Sequence, residues 1–361
     1  MRSLSAIEIA CIVKELKSLE GLFLGKIYDL GEGAIRFHFT SASAKRVLFV
    51  RIPYVVNFTS IVEETDTPTQ FCTVARKLIM NKKLKEISQY GMDRILIMTF
   101  SDETKLIIEL FAKGNVIITD PAMKINIAYR NTAQKDREVK PKIIYEFPNA
   151  STLNVSNASV EQIASNLMER KEDKAIKPIV AMGIAPVYAE QILEELKIPA
   201  DSPINDDKTA KEIATATRSF VDALFLHPIP TIYSKDFELY EYSLLPLKKY
   251  SGLEQLSFQS ISEMLERFYL DARIGIKKDT SRVDAIAANI EKQKKILDEL
   301  ETREKEGTES GQKIFENMRL VNNVIEYMQK NKRATLQEVQ EVFGDIVKEV
   351  DLAKKKVRIE L

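Results

Sequence analysis

Between Thr69 and Asp120 the apolar positions change period once, from helical to extended. Phe71, Val74, Ala75, Leu78 and Ile79 recur at helical intervals, so Phe71–Met80 is predicted to be a helix with one apolar face. Alternating segments follow at Leu84-Ile87, Ile95-Ile97-Thr99, Leu106-Ile108-Leu110 and Val116-Ile118, broken by Gly91, Ser101-Asp102 and Gly114-Asn115. Runs of this length bounded by turn formers predict strands joined by tight turns. Upstream, Ile7, Ile9, Ile12, Val13 and Leu16 interleave with Glu8, Lys14 and Glu15, an amphipathic helix in which Ser5 and Glu8 have the spacing of a capping box. Four further strands are expected at Leu22–Tyr28, Ala34–Phe39, Val47–Ile52 and Tyr54–Phe58, with Gly31-Glu32-Gly33 turning between the first two. Strands this short and close lack room for helical crossovers, so the sheet is expected to be mostly antiparallel and the fold class α+β.

The pattern divides the rest of the chain. A polar loop over Asn131–Lys142 and the run Lys142–Pro148 close a first domain, residues 1–150. Residues 151–227 turn helical, with Gly183, Pro199 and Pro203 as breaks. Residues 228–258 are extended and aromatic-rich, and are expected to return to the first domain's sheet. From residue 259 a long helix begins near Ser260. Ile286, Ile290, Gln293, Leu297, Leu300, Glu304, Gly307, Gly311, Ile314, Met318, Val321, Ile325 and Met328 hold a heptad phase along it, which predicts a coiled coil. Glu304–Gly311 weakens that stripe, and retained phase favours one frayed helix over a hairpin. A short helix and a strand are expected over Thr335–Leu361.

Composition narrows the function. Lys and Arg total 53 and so do Asp and Glu, so any phosphate-binding surface has to be local. One candidate exists: Arg76, Lys77, Lys82, Lys83, Lys85 and Arg94 stand against only Glu86 and Asp93, a local net of +4. No apolar run approaches the ~18 residues of a membrane span. Cys11 and Cys72 both fall on apolar helix faces, as buried free thiols of a reducing cytoplasm do. His38 and His227 are isolated, so no zinc spacing arises, and there is no phosphate-binding Gly-Lys-Ser/Thr loop, dinucleotide fingerprint or activated nucleophile. No cofactor or metal is implied. These absences favour binding over catalysis.

Ile179–Leu193 resembles a helix-hairpin-helix, with Gly183-Ile184-Ala185 at the turn. Turn amides and a helix N-terminus can hold a phosphate, although Ala185 stands where the usual hairpin has its second glycine and its Cβ opposes a close approach. Ser5-Ala6-Ile7-Glu8, Lys14-Glu15-Leu16, Arg76-Lys77-Leu78, Gln89-Tyr90-Gly91-Met92-Asp93-Arg94, Glu109-Leu110, Gly114-Asn115-Val116-Ile117, Tyr145 with Pro148, and Ser260–Leu265 with Phe268-Tyr269 together resemble the NFACT family, in its archaeal type. The resemblance spans essentially the whole chain.

It implies an N-terminal domain similar to the formamidopyrimidine-DNA glycosylase N-domain, then a helix-hairpin-helix domain and a coiled coil with part of a middle domain. It also implies a cytoplasmic ribosome quality-control factor that binds the obstructed large subunit (rRNA), tRNA and peptidyl-tRNA, and supports mRNA-independent C-terminal tailing of the stalled chain. By the same resemblance Asp93, Arg94 and Glu8 engage tRNA, Glu8 standing where the family usually has Asp. Arg76, Lys77, Lys82 and Lys83 are suited to salt-sensitive phosphate contacts. Read without the family, Asp93-Arg94 is equally a surface ion pair opening a strand. The coiled coil implies self-association or, as in the family's eukaryotic members, a ubiquitin-ligase partner. The family's RNA-binding domain and returning coiled-coil arm are not in the sequence, which is expected to be a piece of a longer protein. A glycosylase-like enzyme acting through Glu8 or Asp93, and a scaffold working through the coiled coil alone, are the alternatives.

Overall fold

In the computed structural model, residues 2–61, 68–134, 137–148, 153–170, 173–235, 238–276, 280–352 and 354–360 are described. They form two compact units, residues 1–276 and 277–361.

The first unit opens with α1 (Ala6–Leu16), whose face carrying Ile7, Ile9, Ile12 and Leu16 is buried. Next come β1 (Phe23–Gly31), β2 (Ala34–Thr40), β3 (Lys45–Arg51) and β4 (Val55–Phe58), an antiparallel meander in chain order. The predicted charged helix is α2 (Gln70–Ile79), capped by Thr69 and packed on β1. A second antiparallel meander of β5 (Leu84–Gln89), β6 (Ile95–Phe100), β7 (Lys105–Glu109), β8 (Asn115–Thr119) and β9 (Ile125–Ala128) follows. Backbone hydrogen bonds from Leu24 to Lys82 and from Leu84 to Leu22 stitch the start of β1 to β5, so the two sheets share a border. Both faces of the second sheet are covered, which is why its central strands β7 and β8 read as continuous apolar runs rather than alternating ones.

Two expectations change in this part of the chain. The polar loop after Asn131 contains a small hairpin, β10 (Thr132–Gln134) with β11 (Arg137–Val139). The helical region is as expected, with α3 (Val160–Met168), α4 (Ile176–Ala181), α5 (Pro186–Glu195) and α6 (Asp207–Leu226). The extended run after it does not return to either sheet. Its strands β12 (Thr231–Lys235), β13 (Glu238–Ser243) and β14 (Glu254–Ser257) form their own three-stranded sheet, order β13-β12-β14. The helix expected to run on from Ser260 is α7 (Ile261–Ile276), and it packs on β4, β13 and α1 inside the first unit, so the compact division falls after Ile276 rather than at residue 259. Ile261, Met264, Leu265, Phe268 and Tyr269 are buried there, an apolar face too broad for a coiled-coil seam.

The second unit holds α8 (Thr280–Glu316) and α9 (Met318–Lys330), interrupted only at Asn317, then α10 (Leu336–Phe343) and the hairpin β15 (Val347–Asp351) with β16 (Lys356–Ile359). The expected terminal strand therefore has a partner. The helix passes through Gly307 and Gly311, as one frayed helix would. Leu297, Leu300, Ile314, Met318 and Ile325 of the predicted stripe are exposed, while the side chains of Ile286 and Ile290 lie outside the described residues.

Gly114 closes the β7–β8 connection at φ +68°, where an added Cβ would stand 2.6 Å from Ile52 Cβ and 3.0 Å from Pro53 Cα. Backbone strain and overpacking therefore act together, and Gly114→Ala is expected to destabilise the first unit by about 3 kcal/mol in urea unfolding. Both cysteines are buried and free. Burial pushes the Cys11 thiol up to about 12 and raises Cys72 as well, so both remain protonated at pH 8. A thiol reagent at that pH is expected to titrate neither until denaturant is added.

Candidate nucleic-acid interface

A cleft of about 640 Å³ opens where three parts of the first unit meet. Residues 2–6 line its floor, Met92, Asp93 and Arg94 of the β5–β6 turn form one wall, and Gly183–Val187, from the turn after α4 into the start of α5, form another. Phe111, Pro148, Val180, Ala181 and Glu241 complete the lining.

The floor is built on a buried carboxylate. Glu8 is 0% exposed and accepts hydrogen bonds from Arg2 (2.5 Å), from the Ser5 amide and hydroxyl (both 2.8 Å) and from the Tyr188 hydroxyl (2.9 Å). Tyr188 in turn accepts from the Leu244 amide at 2.9 Å, and Arg2 lies 4.2 Å from the Tyr242 ring centroid and 3.3 Å from Glu241. The Tyr269 hydroxyl donates to the Arg2 carbonyl. Burial alone would lower the Arg2 pKa, but Glu8, then Tyr242 and Tyr188, lift it well above the ordinary value. Burial also pushes the Glu241 carboxyl up.

Arg94 differs. Burial holds its guanidinium below the ordinary value, and no carboxylate among the described residues enters as an opposing cause. Arg137 makes the contrast plain, since burial is offset there by Glu109, which takes the guanidinium and the Tyr145 hydroxyl together. A partly desolvated cation at the wall of an open cleft is suited to an anion brought from outside.

The turn between α4 and α5 explains its own departure from the usual hairpin. Gly183 has φ +88°, and an added Cβ there would stand 2.8 Å from Ala6 Cβ and 3.3 Å from the Met92 carbonyl oxygen. Its carbonyl accepts from the Ile7 amide at 3.0 Å. Ala185 sits at φ −62°, ψ 144°, extended backbone open to any residue, so a second glycine is not required by conformation there.

Of the residues singled out in the sequence, the fold therefore gathers Asp93, Arg94, Gly183, Ile184 and Ala185 in one cleft. Glu8 does not line that surface: it is buried, and its oxygens accept from Arg2, Ser5 and Tyr188. Arg76, Lys77, Lys82 and Lys83 do not line the cleft. Arg76 donates twice to the Ile27 carbonyl and Lys82 pairs with Asp102 at 2.5 Å, so these two serve α2 and the β6–β7 turn, while Lys77 and Lys83 are exposed. Arg2, Tyr188, Tyr242 and Glu241 were not legible as site residues. The one sequence signal was Ser5 and Glu8 at capping-box spacing, which points to Glu8's backbone partner but not to its distant ones.

Among the described residues no cluster of His, Cys, Asp and Glu is placed to hold a metal ion, and no helix is long and apolar enough to cross a membrane.

Removing Glu8 takes away the nearer of the two carboxylates that hold Arg2 and leaves Glu241 at 3.3 Å. Glu8→Ala is expected to lose about 3 kcal/mol in equilibrium unfolding, and Arg2→Met in that background to lose less than it does alone. Additive losses would show that the two charges do not depend on each other.

The family description "NFACT N-terminal and middle domains" matches residues 5–360. An archaeal Rqc2 homolog, aRqcH of Methanocaldococcus jannaschii, is 26% identical over 343 residues, covering 88% of this chain and 51% of that protein. The Rqc2 homolog RqcH of Bacillus subtilis is 27% identical over 246 residues (64% and 40%), and ribosome quality control complex subunit 2 of Saccharomyces cerevisiae is 30% identical over 167 residues (44% and 16%). The chain thus spans about half the length of the archaeal relative. Among solved structures, the N-terminal region of a fibronectin/fibrinogen-binding protein from Streptococcus suis superimposes with a TM-score of 0.61 at 23% identity, covering 74% of this chain and 100% of that one. A fibrinogen-binding protein from Staphylococcus aureus gives 0.62 at 18%, covering 73% and 98%. At that identity the likeness is one of fold.

Proposed function

The chain belongs to the NFACT family, and on that premise we propose that it is a cytoplasmic ribosome quality-control factor that binds an obstructed large ribosomal subunit and tRNA. In this reading it works by binding: peptidyl transfer belongs to the ribosome, and the protein positions tRNA while the stalled chain is extended without mRNA. The names of its archaeal, bacterial and yeast relatives support the process.

The observation that carries the tRNA reading is the cleft wall at Asp93-Arg94. Arg94 offers a partly buried cation at the wall of an open cleft, able to clamp a phosphate or stack on an exposed base. Asp93 on the same wall is placed to accept from base amino groups or ribose hydroxyls. Facing them, α4 and α5 with their Gly183 turn act as a helix-hairpin-helix, which adds backbone amides toward a phosphate. The exposed stripe along α8 and α9 supports a coiled-coil arm that pairs with further helix in the assembled factor, or with a ligase-like partner.

Filter binding of total tRNA, wild type beside Asp93→Ala/Arg94→Ala across a salt series, tests the reading. Saturable binding that falls with salt is expected, weakened at least about tenfold by the double substitution. Equal affinities would return Asp93-Arg94 to a surface ion pair and move tRNA recognition elsewhere.

A further inference from the structure

The residue that sets the two cleft walls against each other does not face the cleft. Gln89, the last residue of β5, directs its side-chain nitrogen at two carbonyl oxygens, Ala6 O and Asp93 O, each at 2.8 Å. Two acceptors converge there, so the amide must present its two N–H groups, and a carboxylate or a thioether in the same place could satisfy neither. One contact is local, four residues away on the β5–β6 turn, and the other reaches 83 residues back to the first turn of α1.

The surrounding bonds make this bridge decisive for Arg94. The Asp93 amide donates to the Tyr90 carbonyl, the Tyr90 amide donates to Ile95, and the Arg94 carbonyl accepts from Leu110, so the turn is internally closed and fastened at its far end to β7. At its near end Gln89 supplies the side-chain hydrogen bonds to the cleft floor, beside Met92, which is buried against Gly183. On the other wall the Ile7 amide holds the Gly183 carbonyl at 3.0 Å. Both walls therefore hang from Ala6-Ile7, one through a side chain and one through the backbone, and Glu8 immediately after them is locked by Arg2 and Tyr188.

We propose that Gln89 is a positioning residue of the nucleic-acid cleft: by bridging the Ala6 and Asp93 carbonyls it fixes the Asp93-Arg94 turn to the α1 floor and so sets the separation of Arg94 from the Gly183 wall. This rests on the tRNA reading for its functional consequence, but the bridge also has a consequence of its own. Without it the turn at 90–94 exchanges between positions while the sheet beneath, anchored by the ladder from β5 to β9, stays intact.

The test uses the whole chain with Gln89→Met, which keeps the length and removes both donors, and Gln89→Asn, which keeps the donors one methylene short. Each is measured alone and with Arg94→Ala, reading tRNA affinity, thermal midpoint and amide hydrogen exchange of the 90–95 segment. Both variants are expected to keep the midpoint within a few degrees of wild type, to raise exchange in 90–95, and to weaken tRNA binding about tenfold, as displacement of a contacting group does. In the Arg94→Ala background neither is expected to weaken binding further, because the contact that Gln89 positions is already gone. Wild-type affinity in either variant, or losses that add to that of Arg94→Ala, would overturn the proposal. If the wild-type protein binds no tRNA, the functional reading fails separately, and exchange decides: faster exchange confined to 90–95 upholds the bridge, and unchanged exchange overturns it.

Discussion

A carboxylate with no access to water has to be compensated where it lies, and Glu8 meets that requirement with donors from the residues just before it and from Tyr188, 180 residues away. Arg2 comes from the segment before α1, Ser5 from its cap, and Tyr188 from α5, which is also tied to the residue after β13 through the Leu244 amide. The charge pair alone would not repay desolvation, but its added hydrogen bonds and the aromatic ring of Tyr242 over Arg2 complete the enclosure. The first turn of α1 is thereby immobilised, and the cleft is built from what hangs on that turn.

The same electrostatic logic separates three buried guanidiniums. Arg2 and Arg137 each meet a buried carboxylate, Glu8 and Glu109, and their charges are used up inside the fold. Arg94 is partly withdrawn from water, which lowers its pKa, and it stands at the wall of an open cleft. Arg2 and Arg137 are thus held by carboxylates of the fold itself, while Arg94 lines an open cleft, so geometry distinguishes residues that composition treats alike. Membership of the NFACT family is carried by residues 5–360, and the open cleft beside Arg94 is the feature on which the tRNA proposal rests.

The local +4 between Gln70 and Arg94 is one patch in the sequence and several functions in space. Arg76 caps the Ile27 carbonyl, Lys82 closes a turn with Asp102, and Lys77 and Lys83 face solvent away from the cleft, leaving Arg94 as its member there. Long basic side chains reach several ångströms in any direction, so their destination depends on neighbours that are remote in sequence. The long helix shows the same limit. Its period was legible through Gly307 and Gly311, but the face of α7 that packs on β4 and β13 had to be seen to place the division of the chain at Ile276.

Local physics is what the amino-acid order determined by itself: the amphipathic faces of α1 and α2, the antiparallel strands cut by Gly91, Gly114 and their neighbours, the Ser5–Glu8 cap and the buried thiols. These depend on periodicity, turn stereochemistry and spacing within a few residues, all of which the order of residues carries. Tertiary structure alone decided that Glu8 is buried against Tyr188 of α5, that the extended run at 231–257 makes a sheet of its own, and that Gln89 bonds to Ala6, 83 residues away. Those outcomes turn on which distant groups meet a buried charge or an open carbonyl, and long-range partnership of that kind leaves no periodic trace in a single sequence.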